Sequence, residues 1–213
     1  MTSVDQRIQI FFDIIEELRV KVNNDNNLYP EDWLTIVSKI QGNIPERLPR
    51  NQLDWAGKKI IVPLPSLERD THFPFLTFSI TNNGDNFCCR IYVLMLKILG
   101  DKMVGIGFRM ESPERCFGSP NQNGETGTHD FCHAQLVRDI RGWNFYSTPD
   151  YLPDSVPSFP LWAVEPVDLL LNMILTLYGA RCYSRFWKDH ASHVIPAVSQ
   201  EFKDFTKNLL NRK

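Results

Sequence analysis

Three β-forming stretches joined by two short turns occupy the middle of this 213-residue chain, and they restrict it to folds built on an antiparallel sheet. Leu76, Phe78 and Ile80 alternate with Thr77, Ser79 and Thr81, the period-two pattern of a half-buried strand. Asn82-Asn83-Gly84-Asp85 then supplies residues suited to a tight hairpin turn. Phe87 to Leu99 follows, apolar on both faces except for Arg90 and Lys97, as a central strand must be. Gly100-Asp101 turns the chain again into Met103 to Glu111, with Val104, Ile106, Phe108 and Met110 on one face. The other face carries Gly105, Gly107, Arg109 and Glu111, so bare backbone adjoins an Arg and a Glu.

Helical patterns flank this core. Ser3 and Gln6 have the spacing of a capping box, and Ile8, Phe11, Phe12, Ile15, Leu18 and Val22 recur at helical intervals, predicting a helix from about Val4 to Val22. Pro30-Glu31-Asp32 opens a second, short helix carrying Trp33, Ile36, Val37 and Ile40, closed by Gly42. Pro45 to Pro74 reads as irregular structure with one brief β-like run at Lys59 to Val62. Past Arg141, Pro149, Pro153, Pro157 and Pro160 alternate with aromatics including Phe159 and Trp162, which predicts a rigid loop whose aromatics cap the core. Pro166 suits the first turn of a nearly buried helix with Val167, Leu170, Leu171, Ile174, Leu175 and Tyr178 on its apolar face, ended by Gly179. A last amphipathic helix follows Pro196, turning Val198, Phe202, Phe205 and Leu209 inward. The expectation is one α+β domain over residues 1–213, with two N-terminal helices, a central antiparallel meander of about four strands, and a C-terminal helical layer.

Composition narrows the function classes. A net charge of −2 gives no global attraction to nucleic acid or to an anionic membrane. The longest apolar helix candidate, Val167 to Tyr178, falls short of the roughly 20 residues that cross a bilayer, and MTSVDQRIQIFF does not read as a secretory signal. Five cysteines without regular spacing fit a reducing compartment, so a cytoplasmic protein without membrane association is expected.

Chemistry concentrates in Gly127-Thr128-His129-Asp130-Phe131-Cys132-His133-Ala134-Gln135-Leu136, where two of the chain's five histidines stand four residues apart. Read as a helix, His129 and His133 share one face. Read as a strand, which continues the meander, His129, Phe131, His133 and Gln135 share a face, and pairing with the preceding strand would add Arg109 and Glu111. Imidazoles exchange protons near neutral pH, a carboxylate fixes their tautomer, and a guanidinium grips phosphate, so Arg109, Glu111, His129, His133 and Gln135 form a candidate catalytic set for metal-independent phosphodiester cleavage. The same residues equally describe a hydrogen-bond network between strands.

A metal reading rests on His129-x-x-Cys132-His133, a single irregular block where structural zinc normally needs two. His190 and His193, three apart near a helix junction, read as an exposed connector rather than as ligands. Neither a metal nor a cofactor is expected, and the sequence has no phosphate-cradling loop, dinucleotide fingerprint or Gly-x-Ser-x-Gly elbow.

Three blocks together resemble a group of bacterial proteins that accompany mobile-element or antiphage defence genes: Gly127 to Leu136, Leu152 to Leu161, and Pro166 to Leu171 with Tyr178-Gly179. The resemblance spans about Gly127 to Gly179 and carries no activity with it. It implies a bacterial accessory protein with a protein partner, and a small nuclease or phosphodiesterase, with nucleic acid as its ligand, stands as the alternative.

Overall fold

The computed structural model describes residues 3–24, 62–65, 73–83, 86–99, 102–113, 132–137 and 158–211. The second helix expected from Pro30 to Gly42 lies outside them. Helix α1 (Val4–Asn24) begins where the capping signal places it, with Ser3 Oγ accepting the Gln6 N–H at 3.2 Å.

Among the described residues the sheet has six antiparallel strands whose spatial order is their chain order: β1 (Val62–Pro63), β2 (Phe73–Asn83), β3 (Asn86–Leu99), β4 (Lys102–Glu111), β5 (His133–Val137) and β6 (Ser158–Pro160). Two short edge strands join the expected four: β1, which begins at Val62 where the brief β-like run from Lys59 ends, and β6, whose three residues are too few to display a period of two. Asn83 pairs with Asn86 and Leu99 with Lys102, the registers that two-residue connections produce. The histidine segment is strand, not helix, from His133 onward.

One face of the sheet packs on the helices. Leu76, Phe78, Ile80, Cys89, Ile91, Val93, Phe108 and Met110 share a buried cluster with Phe11, Phe12 and Ile15 of α1. The rings of Phe11 and Phe12 meet Phe78 edge-on at centroid distances of 5.6 and 5.8 Å. The opposite face is closed as well: Phe75, Leu94 and Leu96 are fully buried yet stand outside that cluster, so β3 is buried on both sides as its composition demands.

Helix α2 (Pro166–Val194) consists of two helical segments that meet at a kink at Gly179, the residue expected to end the first of them. Gly179 takes φ 75° and ψ 171° and so ends the first segment, and a second segment that the pattern did not predict continues to Val194. The continuation was hidden because its exposed, basic surface lacks a broad apolar face; only Tyr183, Phe186 and Val194 are buried there. A short 3₁₀ turn (Ile195–Ala197) leads to helix α3 (Gln200–Leu210), capped by Ser199, whose Oγ accepts the Phe202 N–H at 3.2 Å. Phe202 is fully buried, as the pattern predicts.

Asp168 joins the two helix starts. Its Oδ2 accepts the N–H groups of Val164 and Glu165 at 2.9 and 3.0 Å, and its Oδ1 accepts that of Ser199 at 3.1 Å. Burial raises its pKa, and these hydrogen bonds only partly oppose the shift.

Candidate functional site

The register of the sheet assembles a polar cluster on the face away from the helices. Residues directly opposite each other in an antiparallel pair project to the same side, so successive pairings make cross-strand rows. One row runs Ser79, Arg90, Glu111, His133, Pro160; the next runs Thr77, Tyr92, Arg109, Gln135, Ser158. Four of the five residues expected to form a site, Arg109, Glu111, His133 and Gln135, therefore occupy adjacent rows on β4 and β5. His129 lies outside the described residues.

Glu111 is the centre. Its Oε2 accepts Arg90 Nε at 2.9 Å, while its Oε1 lies 3.0 Å from Arg109 Nη2 and 2.9 Å from His133 Nε2. The His133 contact is short but lacks the alignment of a good hydrogen bond. Arg109 Nη2 also donates to Gln135 Oε1 at 2.7 Å, so one guanidinium links a cross-strand partner and a neighbour two residues along its own strand. Next to this row, Ser112 Oγ accepts the Cys89 N–H at 3.1 Å and prolongs the tie between β3 and β4.

Exposure divides the cluster. The His133 side chain is 0 % exposed and that of Glu111 3 %, whereas Arg90 and Arg109 keep 38 % and 28 %. Two guanidinium groups around one carboxylate leave a local positive excess with its cationic part nearest solvent. A buried carboxylate with several charged partners is well compensated, and an imidazole with no exposure cannot exchange protons directly with a bound substrate.

Arg90 is the member that sequence reasoning missed. It reads as an exception on an otherwise apolar strand, yet counting back residue by residue from a two-residue turn at Gly100-Asp101 puts it opposite Glu111, as observed. The metal reading of the segment finds no support in the placement of Cys132 and His133. Cys132 joins the helix-side core with its Sγ 3.9 Å from the Val164 carbonyl, while His133 points to Glu111 on the other side. Among the described residues, no three His, Cys, Asp or Glu groups stand together in a metal-binding arrangement.

A second feature lies where β6 leads into α2. Phe159, Trp162 and Val164 are 55 %, 63 % and 54 % exposed. Expected to cap the core, Phe159 and Trp162 do not: Phe159 ends the row Phe78, Ile91, Met110, Ala134 at the sheet edge, beyond the buried part of that row. Trp162 stands against Phe205 of α3 at a centroid distance of 6.3 Å, with Nε1 donating to the Glu201 carbonyl at 3.3 Å.

The chain matches no family model, no curated protein and no solved structure. Among the described residues, no helix is long and apolar enough to cross a membrane.

Proposed function

We propose that this α+β domain is an accessory module that engages a protein partner, with the Glu111 cluster serving as a tie between strands. The observation that carries this reading is the burial of His133 and Glu111, which removes the acid–base pair from substrate while leaving it well placed to bind three strands together. The exposed Phe159, Trp162 and Val164 supply a surface of the kind that protein partners cover. A bacterial, defence-associated setting rests on the resemblance of Gly127 to Gly179 alone, a cytoplasmic one on the irregular spacing of the five cysteines, and both belong to the proposal.

The nuclease remains a second reading because Arg90 and Arg109 are partly exposed and outnumber the carboxylate they flank, an arrangement suited to phosphate. The deciding experiment purifies the tagged chain from its native cells and, in parallel, incubates it with RNA and DNA in chelator. The interaction reading expects a stoichiometric protein companion that Phe159→Ser and Trp162→Ser both lose, and no cleavage. A chain isolated without a companion at native abundance sinks it. Chelator-resistant cleavage abolished by His133→Ala at unchanged stability would establish the nuclease instead.

A further inference from the structure

Beyond the kink at Gly179, helix α2 carries a ridge of positive charge. Arg181, Arg185 and Lys188 follow one another at spacings of four and three residues, so they share one side of the helix, and all three are exposed. Tyr183, Phe186 and Val194 are buried on the side turned to the protein. The first and last of the three charges stand about 10 Å apart along the helix axis.

Local electrostatics opposes this arrangement. Like charges three and four residues apart repel along a helix, and Arg181 sits in the first turn of its segment, where the helix dipole favours an acid. Among the described residues none of the three is held in an ion pair, although Asp189 is close in sequence. Arg7, Arg90 and Arg109, by contrast, each face a carboxylate. Tertiary contacts fix the segment instead: the Tyr183 hydroxyl meets Thr206 Oγ1 at 2.7 Å, and two separate contacts tie it to α1, His190 to Glu17 at 3.7 Å and His193 to Asp13 at 3.2 Å. The ridge is thus a rigid row of uncompensated cations.

We propose that this ridge binds the phosphate backbone of a nucleic-acid duplex, independently of sequence. Guanidinium and ammonium groups are the usual phosphate donors, and about 10 Å of duplex axis holds roughly three phosphates of one strand, one for each cation. Such contacts position a protein on a duplex and carry no base information. A single strand would need aromatic rings to stack on, but Trp187 is half-buried and stacks on Tyr183 at a centroid distance of 6.2 Å. A membrane would need an apolar side free to insert, and that side of the helix is already buried. A protein partner would need an apolar anchor, and between Arg181 and Lys188 no large apolar side chain is exposed.

The test measures binding of the full chain to short labelled DNA and RNA duplexes of mixed sequence by fluorescence anisotropy. With three phosphate contacts, raising salt from about 50 to about 200 mM should weaken binding to the DNA duplex about fortyfold. Arg185→Gln should bind more weakly at low salt and reduce that loss to about twelvefold, whereas Arg185→Lys, which keeps the charge, should retain the wild-type salt dependence. Thermal midpoints of the variants at or above that of the wild type are expected, because like-charge repulsion is relieved. Absence of binding at about 50 mM salt overturns the proposal. Unaltered binding by a variant with Arg181, Arg185 and Lys188 all changed to Gln also overturns it, by placing the phosphates elsewhere, at Arg90 and Arg109 for example. So does tighter binding, at equal salt, to a single strand, to phosphatidylserine vesicles or to polyglutamate, which assigns the ridge to that partner instead.

Discussion

Glu111 and His133 face each other across the β4–β5 register, with 2.9 Å between carboxylate oxygen and ring nitrogen and almost no solvent on either side chain. His133→Ala removes one partner from a buried charge that two arginines still hold. Loss of one member of a buried pair costs about 3 kcal/mol, and urea unfolding measures it. A change below about 0.5 kcal/mol, within the range of an ordinary surface substitution, would deny the pair a role in holding the sheet.

Gly179 occupies φ 75° and ψ 171°, a region only glycine enters without strain, while a Cβ there would meet nothing within 4 Å. Gly179→Ala should therefore cost about 1–3 kcal/mol through backbone conformation alone, with no steric contribution. Thermal unfolding of the variant checks this. A neutral result would mean that the helix straightens without penalty.

Asp168 supplies a pH signature. Its burial holds the carboxyl pKa above the usual 3.8 despite the backbone N–H groups it accepts. The folded state consequently keeps this proton to higher pH than the unfolded chain does. The contribution of Asp168 to stability is thus largest below 3.8 and is lost as pH rises through the folded value. Carbon-13 NMR of the carboxyl group reads the folded midpoint, and a value at or below 3.8 contradicts the assignment.

Tyr183 behaves as a buried phenol. Its hydroxyl pairs with Thr206 Oγ1 at 2.7 Å, and burial pushes its pKa up to about 12. Since the folded value exceeds the unfolded one, its contribution to stability is intact below pH 10 and declines as pH rises toward 12. Ultraviolet titration of wild type against Tyr183→Phe isolates this phenol; ionisation near 10 would show that the hydroxyl reaches water.

Phe159→Ser alters a half-exposed ring at the sheet edge and should change stability by no more than about 0.5 kcal/mol. Phe202→Ala, in the core beneath α3, should cost about 3–5 kcal/mol. Chemical denaturation of both variants compares the sites directly. An equal loss at Phe159 would make it part of the core and weaken its assignment to a partner surface.

The meander was legible in the sequence because β2, β3 and β4 are long enough to display alternation and are joined by strong turn signals. From their order followed the meeting of Arg109 and Glu111 with His133 and Gln135. Burial was not legible: nothing local to Glu111 or His133 says whether that face of the sheet is open or closed. Phe159 and Trp162 failed for the converse reason, since an aromatic in a proline-rich stretch carries no sign of which side of the chain it faces. The second half of α2 eluded the pattern because a helix with three buried side chains shows no broad stripe.

Because sheet neighbours are chain neighbours throughout, strand pairing closes mostly by local steps, but the helix layer does not. Arg7 of α1 meets its carboxylate partner, Glu165, 158 residues later. At about 5–20 residues synthesised per second, roughly 8–30 s separate their emergence from the ribosome. Phe78, the ring that packs on Phe11 and Phe12, is synthesised early in that interval, so the aromatic contact of α1 has both its partners long before the ion pair has its own.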